Sequence, residues 1–216
     1  GCHAGVSVGP DGATHQQIED IALMRVQPNM VTIVPCDAVE AQKATVAMAF
    51  NNEPSYIRLG REKSWVFTTP ETPFQIGRAE VLRAPSASSG QADVAIVGCG
   101  ILLYNALVAA EELAKEQIDC MVINSHTVKP LDEKTIIEAA KKCGAVVSVE
   151  EHQINGGLGS AVAECLSRNH PVPQEYIGVQ NRFGESGDPF ELIEKLGMGV
   201  SDIKEAVKKV FKRKNK

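Results

Sequence analysis

Apolar positions recur along this chain in two rhythms. Four short runs, Val31-Thr-Ile-Val34, Val94-Ala-Ile-Val97, Cys120-Met-Val-Ile-Asn124 and Ala145-Val-Val-Ser-Val149, have the length and β-branched content of buried strands. Ser55-Tyr-Ile-Arg-Leu59 and Glu175-Tyr-Ile-Gly-Val179 add two more, and Phe74–Leu82 holds another. Between them apolar residues fall three or four apart, the helical period. That spacing predicts helices from Thr14 to about Arg25, over about 39–50, 102–116, Asp132–Cys143, 156–168, 188–196 and 201–213. Alternating helix and strand reads as an α/β protein built on parallel sheet. The rhythm lapses from Trp65 to about Asp93, where Pro85-Ser-Ala-Ser-Ser-Gly90 reads as a surface turn. The chain therefore divides into 1–64, a linker over 65–93, and a compact doubly wound α/β unit over 94–216.

Bulk properties narrow the classes. A chain of 216 residues, 44% hydrophobic and 23% charged, has the make-up of an ordinary soluble globular protein. A net charge of -5 argues against broad nucleic-acid binding. The basic end, Lys208–Lys216, reads as a solvated, dipole-matched helix terminus. No apolar run approaches the ~18 residues of a membrane span, and no signal peptide is visible. The six cysteines form no C-x-x-C pair and read as reduced, small hydrophobes of a cytoplasmic protein.

The densest chemistry is His3-Ala-Gly-Val-Ser-Val-Gly-Pro-Asp11-Gly-Ala-Thr-His15. Its glycines permit close backbone approach to a ligand. Thr14 and Gln17 form a capping-box pattern, which puts Asp11 on a loop and His15 on the first helical turn. There the amide end of the helix would keep the imidazole neutral, able to give or take a proton. The plainer alternative is a structural loop whose histidines bond to backbone. The clustering of histidines, carboxylate and glycines favours a site.

This loop, H-x-G-x-x-x-G-x-D-G-x-T-H-Q followed by A-L-M-R, resembles the transketolase signature. The likeness continues through Pro28–Asp37, Pro54–Arg61, Phe74–Arg78, Asn124–Pro130 and Val149–Gly159, nearly the whole chain in the family's order and spacing. It implies the end of a parallel-sheet domain that binds the pyrimidine of thiamine diphosphate, partial over 1–64, followed by the family's C-terminal domain. It also implies roles. His3 and Arg61 would contact the sugar phosphate, Asp11 a substrate hydroxyl, and His15 the substrate near the reacting carbons. A planar guanidinium suits phosphate, and a carboxylate suits hydroxyls. Pro10 and Gly60 depart from the glutamate and serine common in the family. The expected reaction is two-carbon ketol transfer from a ketose phosphate to an aldose phosphate, in the pentose phosphate pathway. His3 favours this over 1-deoxyxylulose-5-phosphate synthases, which resemble it in D-G-x-T-H; a non-catalytic dimerisation module is the other alternative.

The family's G-D-G motif for Mg2+ and diphosphate does not occur, nor does its upstream glutamate. The expectation is a C-terminal section, inactive alone, whose cofactor residues lie in an N-terminal part or subunit. The complete enzyme would be a homodimer with a composite site, and the section would expose apolar surface and a sheet edge. Three features remain outside that picture. Gly98-Cys-Gly100 reads as a tight turn rather than a dinucleotide site, since a third glycine is missing. Gly156-Gly-Leu-Gly159 reads as structural, and Glu150-Glu-His152 as a helix cap or interface contact rather than a metal site. Val128-Lys-Pro130 reads as a turn before a helix.

Overall fold

Two sheets organise the protein, whose structure is a computed structural model describing residues 1–85 and 92–214. Most of the turn expected over 85–90, and the last two residues of the basic end, lie outside the described residues. The larger sheet has the order β3-β5-β4-β7-β8, formed by Glu80–Arg83, Cys120–Asn124, Val94–Gly98, Val146–Gln153 and Gln174–Val179. All neighbours are parallel except the edge strand β3, which runs antiparallel to β5. Central strands covered on both faces need apolar side chains at every position, which is why β4 reads Val-Ala-Ile-Val. Its pleat sends Val94 and Ile96 toward helices α3 (Leu103–Lys115) and α7 (Val200–Lys214). Ala95 and Val97 face α4 (Glu133–Cys143) and α5 (Leu158–Asn169). Helix α6 (Pro189–Lys195) starts on Asp188, whose carboxylate accepts from the amides of Phe190 and Glu191. This is the doubly wound α/β unit that the alternation predicts.

The smaller sheet has the order β2-β1-β6, from Ser55–Ile57, Val31–Ile33 and Thr127–Lys129. Strands β1 and β2 are parallel, and α2 (Ala38–Ala49) joins them. Asp37 caps α2 by accepting from the Glu40 amide at 2.9 Å. β6 corrects the turn expected at Val128–Pro130: Thr127–Lys129 pairs antiparallel with β1. That partner is far away in sequence, so no local pattern announces it. The strand expected over Phe74–Leu82 shrinks to Glu80–Arg83. Phe74 instead stacks on His126, ring centroids 4.3 Å apart, and Gly77 turns the chain at φ +80°. β2 stays at the sheet edge, and Leu23, Val26, Val46 and Phe50 are exposed around this sheet.

Candidate active site

The glycine-rich loop crosses the junction of the two sheets. Residues Val6–Asp11 form a kinked 3-10 turn, and helix α1 spans only Asp20–Val26. This corrects the capping box. Thr14 Oγ1 bonds to His15 Nδ1 at 3.0 Å instead of capping a helix. The amides of His15 and Gln16 donate to the Gly12 carbonyl, and the Gly5 amide to the Gln17 carbonyl. They close 12–17 as a single turn that does not continue into α1, and Gly9 and Gly12 hold positive φ. Gln16 is buried, and its Nε2 donates to the carbonyls of Val6 and Glu185, each at 3.0 Å. His15 therefore sits on an exposed turn, away from any helix amide end.

The structure brings three of the four expected residues into one cleft of about 380 Å³. His3, Asp11 and His15 line it together with Cys2, Gln17 and Glu19. His3 holds φ +60°, a conformation uncommon outside glycine that concentrates at functional sites. Arg61 reaches the cleft through Asp11, Nη1 to Oδ2 at 2.7 Å. The guanidinium also donates to the Val8 carbonyl at 3.3 Å and approaches Glu62 at 3.7 Å. Its hydrogen bond and charge hold the Asp11 carboxyl below the usual carboxylate range, helped by the two imidazoles. Arg61 thus lies on a carboxylate, and both side chains of the pair are about one-third exposed, at 34% and 37%.

Beneath the cleft is a buried network that the sequence reading missed. Arg58 Nε donates to Asp20 at 2.9 Å, and its Nη2 to the carbonyls of Gln17 at 2.9 Å and Glu151 at 2.8 Å. Tyr56 donates to the same aspartate at 2.7 Å. The signal was present: Tyr56 and Arg58 alternate onto one face of an otherwise apolar strand segment. Glu151 accepts from the Ser7 amide at 2.6 Å. Glu150 accepts from the Leu158 and Gly159 amides at 2.7 and 2.8 Å, capping α5. His152 Nδ1 donates to the Gln153 carbonyl at 2.7 Å, leaving Nε2 to accept from Ala22 at 3.3 Å. Helix cap and interface contact, the two readings given for this triplet, both occur. Burial raises the carboxyls of Glu150 and Glu151 above their ordinary values.

At the other glycine motifs the backbone packs closely against neighbouring side chains. Gly98 packs against Leu103, and a side chain on Gly157 would strike Glu150. Five cysteines are buried, and burial pushes their thiols up, Cys120 to about 12. Among the described residues no group of three or more His, Cys, Asp or Glu is arranged to hold a metal ion. No helix among them is long and apolar enough to cross a membrane.

Comparison with known proteins agrees with this fold. The family pattern described as transketolase, pyrimidine binding domain, matches residues 1–64, and that of the transketolase C-terminal domain matches 84–203. A protein of Clostridium sp. (strain MSTE9) named 6-deoxy-6-sulfo-D-fructose transketolase subunit SqwH is 40% identical over 215 residues, covering 100% of this chain and 65% of its own length. Human transketolase is 34% identical over 209 residues, 96% of this chain and 33% of its own. A solved structure described as a split gene transketolase, inactive beta4 tetramer, superposes with TM-score 0.90 at 43% identity, over 99% of this chain and 66% of that one. The chain spans about two thirds of the subunit-length relatives and one third of the longer ones. The likeness runs through both sheets and through the loop that carries the cleft, and the chain belongs to the transketolase family.

Proposed function

We propose that this chain is the C-terminal section of a thiamine-diphosphate-dependent transketolase. The complete enzyme would move a two-carbon ketol unit from a ketose phosphate to an aldose phosphate, in the cytoplasm and within the pentose phosphate pathway. The observation that carries the reading is the single cleft lined by His3, Asp11 and His15, with Arg61 docked on Asp11. In this reading Asp11 accepts a substrate hydroxyl, and His15 exchanges protons at hydroxyls near the reacting carbons. His3 and Arg61 take the phosphate. A guanidinium that already grips a carboxylate oxygen offers the same planar N–H pair to a phosphate oxygen. Arg61 would share itself between Asp11 and the incoming anion, which the partial exposure of both groups permits.

Thiamine diphosphate, when bound, supplies the carbanion equivalent that breaks and forms the carbon–carbon bond. The described residues contain no group of three or more His, Cys, Asp or Glu that could hold its Mg2+. In our reading the cofactor is held by an N-terminal part or subunit, the complete enzyme is a homodimer with a composite site, and this section is inactive alone. We divide the chain accordingly into 1–64, a linker over 65–93, and 94–216.

A second reading rests on the Clostridium relative, whose name specifies a sulfonated ketose. Sulfonate and phosphate are both tetrahedral oxyanions that a guanidinium can grip, so the motif residues serve either. The deciding assay runs xylulose 5-phosphate and 6-deoxy-6-sulfofructose as donors with one aldose phosphate acceptor. It is run on this chain alone and with the complementary N-terminal polypeptide, thiamine diphosphate and Mg2+. Turnover only in the mixture supports the reading, and the better donor chooses between the two. Turnover only with pyruvate and glyceraldehyde 3-phosphate would replace it with a deoxyxylulose phosphate synthase. Unchanged turnover in His15→Ala and Arg61→Ala would leave a non-catalytic module.

A further inference from the structure

We infer that Glu151 is a positioning residue: from the second unit it holds the substrate loop from beneath, so that His3, Asp11 and His15 share one cleft. The inference deepens the transketolase reading of that cleft and rests on it. Two of the loop's ties converge on the buried pair Glu151 and Arg58. The loop's first turn is tied by the Ser7 amide to Glu151 Oε1 at 2.6 Å, across 144 residues of sequence. Its far end is tied by the Gln17 carbonyl to Arg58 Nη2 at 2.9 Å. Glu151 and Arg58 are themselves coupled, by a 4.0 Å approach of Nη1 to the carboxylate and a 2.8 Å bond from Nη2 to the Glu151 carbonyl. Both residues are about 95% buried. The fit leaves no slack. A Cβ on Gly5, where φ is +92°, would lie 2.3 Å from the Glu151 carboxyl carbon.

A single amide could be satisfied by any neutral acceptor. A buried carboxylate is costly, and it is tolerated here because Arg58 lies against it. The reach of the Glu151 side chain, rather than its charge, holds the Ser7 amide to the same floor under the cleft that Arg58 provides for the Gln17 carbonyl. Its tie to the loop is at Ser7, a residue outside the cleft lining.

Two variants separate this role from a general contribution to folding. Glu151→Gln keeps an acceptor at the same reach, whereas Glu151→Asp keeps the charge beside Arg58 and withdraws the acceptor from Ser7. Hydrogen exchange on this chain reads the loop directly. Glu151→Asp is expected to speed exchange of the Ser7 amide and of peptides covering 3–16 about tenfold, the value of one hydrogen bond to a charged group, while β4 and β7 stay protected. Glu151→Gln is expected to stay near wild type. In the complete enzyme Glu151→Asp should raise KM for the aldose phosphate more than it lowers kcat, and Glu151→Gln should restore it. Loop exchange unchanged in Glu151→Asp would overturn the inference. So would faster loop exchange with unaltered KM. Faster loop exchange in an enzyme that transfers no ketol unit even as wild type would uphold the clamp and reject the transketolase reading.

Discussion

Arg58→Met tests the buried network under the cleft. The substitution keeps much of the side-chain volume and removes the guanidinium that pairs with two buried carboxylates, Asp20 at 2.9 Å and Glu151 at 4.0 Å. It also leaves the Gln17 and Glu151 carbonyls without their donors. Breaking a buried ion pair from one side costs about 3–5 kcal/mol, because the remaining charge is uncompensated. Tyr56 still donates to Asp20, which argues for the lower half of that range. Urea denaturation at neutral pH should therefore show a loss of about 3–4 kcal/mol. The loss should also depend on pH. Burial raises the Glu151 carboxyl and the Arg58 charge opposes the rise, so removing Arg58 raises it further. A carboxyl with a folded value above its unfolded one stabilises the fold below the unfolded value, and that contribution disappears as pH rises through the folded value. The deficit of the variant should thus shrink as pH falls toward 4.5, the ordinary glutamate value. Adding Asp20→Asn should restore part of the stability, since the two sites share one interaction. A loss below about 1 kcal/mol at neutral pH, or one independent of pH, would refute the assignment of this network as a buried, charge-compensated anchor.

His126 is fully buried with Nε2 unpartnered, and burial lowers its imidazole from 6.5 to about 4. Its neutral form leaves stability intact above pH 6.5. Between 6.5 and 4 the unfolded chain gains a proton that the fold refuses, so stability should fall by about 3 kcal/mol. His126→Gln should remove that slope from a pH series of denaturation curves, and an imidazole titrating near 6.5 by NMR would exclude the account. Gly157→Ala would place a Cβ 2.0 Å from Glu150 Oε2 and displace the cap of α5, a loss of about 1–3 kcal/mol by thermal unfolding. Gly197→Ala, with open space around it and φ +78°, should cost only the backbone strain of about 1 kcal/mol. In the complete enzyme, Arg61→Lys should raise KM for a phosphorylated acceptor about tenfold while affecting an unphosphorylated one little; equal effects on both would remove Arg61 from phosphate binding.

The sequence by itself determined the elements whose causes are local. The central strands were legible because a strand covered on both faces must be largely apolar, as Val94–Val97 is throughout and Val146–Val149 is except at Ser148. Asp37 and Asp132 cap helices with their own neighbours' amides, three residues away. The loop residues were legible as a group because histidines, a carboxylate and glycines seldom fall so close without a ligand to hold. Only the tertiary structure decided how they are arranged. The capping-box pattern at Thr14 predicted a helix, and the chain forms a turn because Gln16 is drawn down to the Glu185 carbonyl 169 residues away. Strand β6 exists because β1 offers it a partner, and Arg61 lies on Asp11 because the loop and the end of β2 meet. Glu151 looked like one of three neighbouring polar residues, and its place beneath Ser7 depends on the packing of the second unit against the first. A motif records which groups are present within a short span of chain; a hydrogen bond between residues 144 apart is set by the packing of whole sheets, which no window of sequence contains.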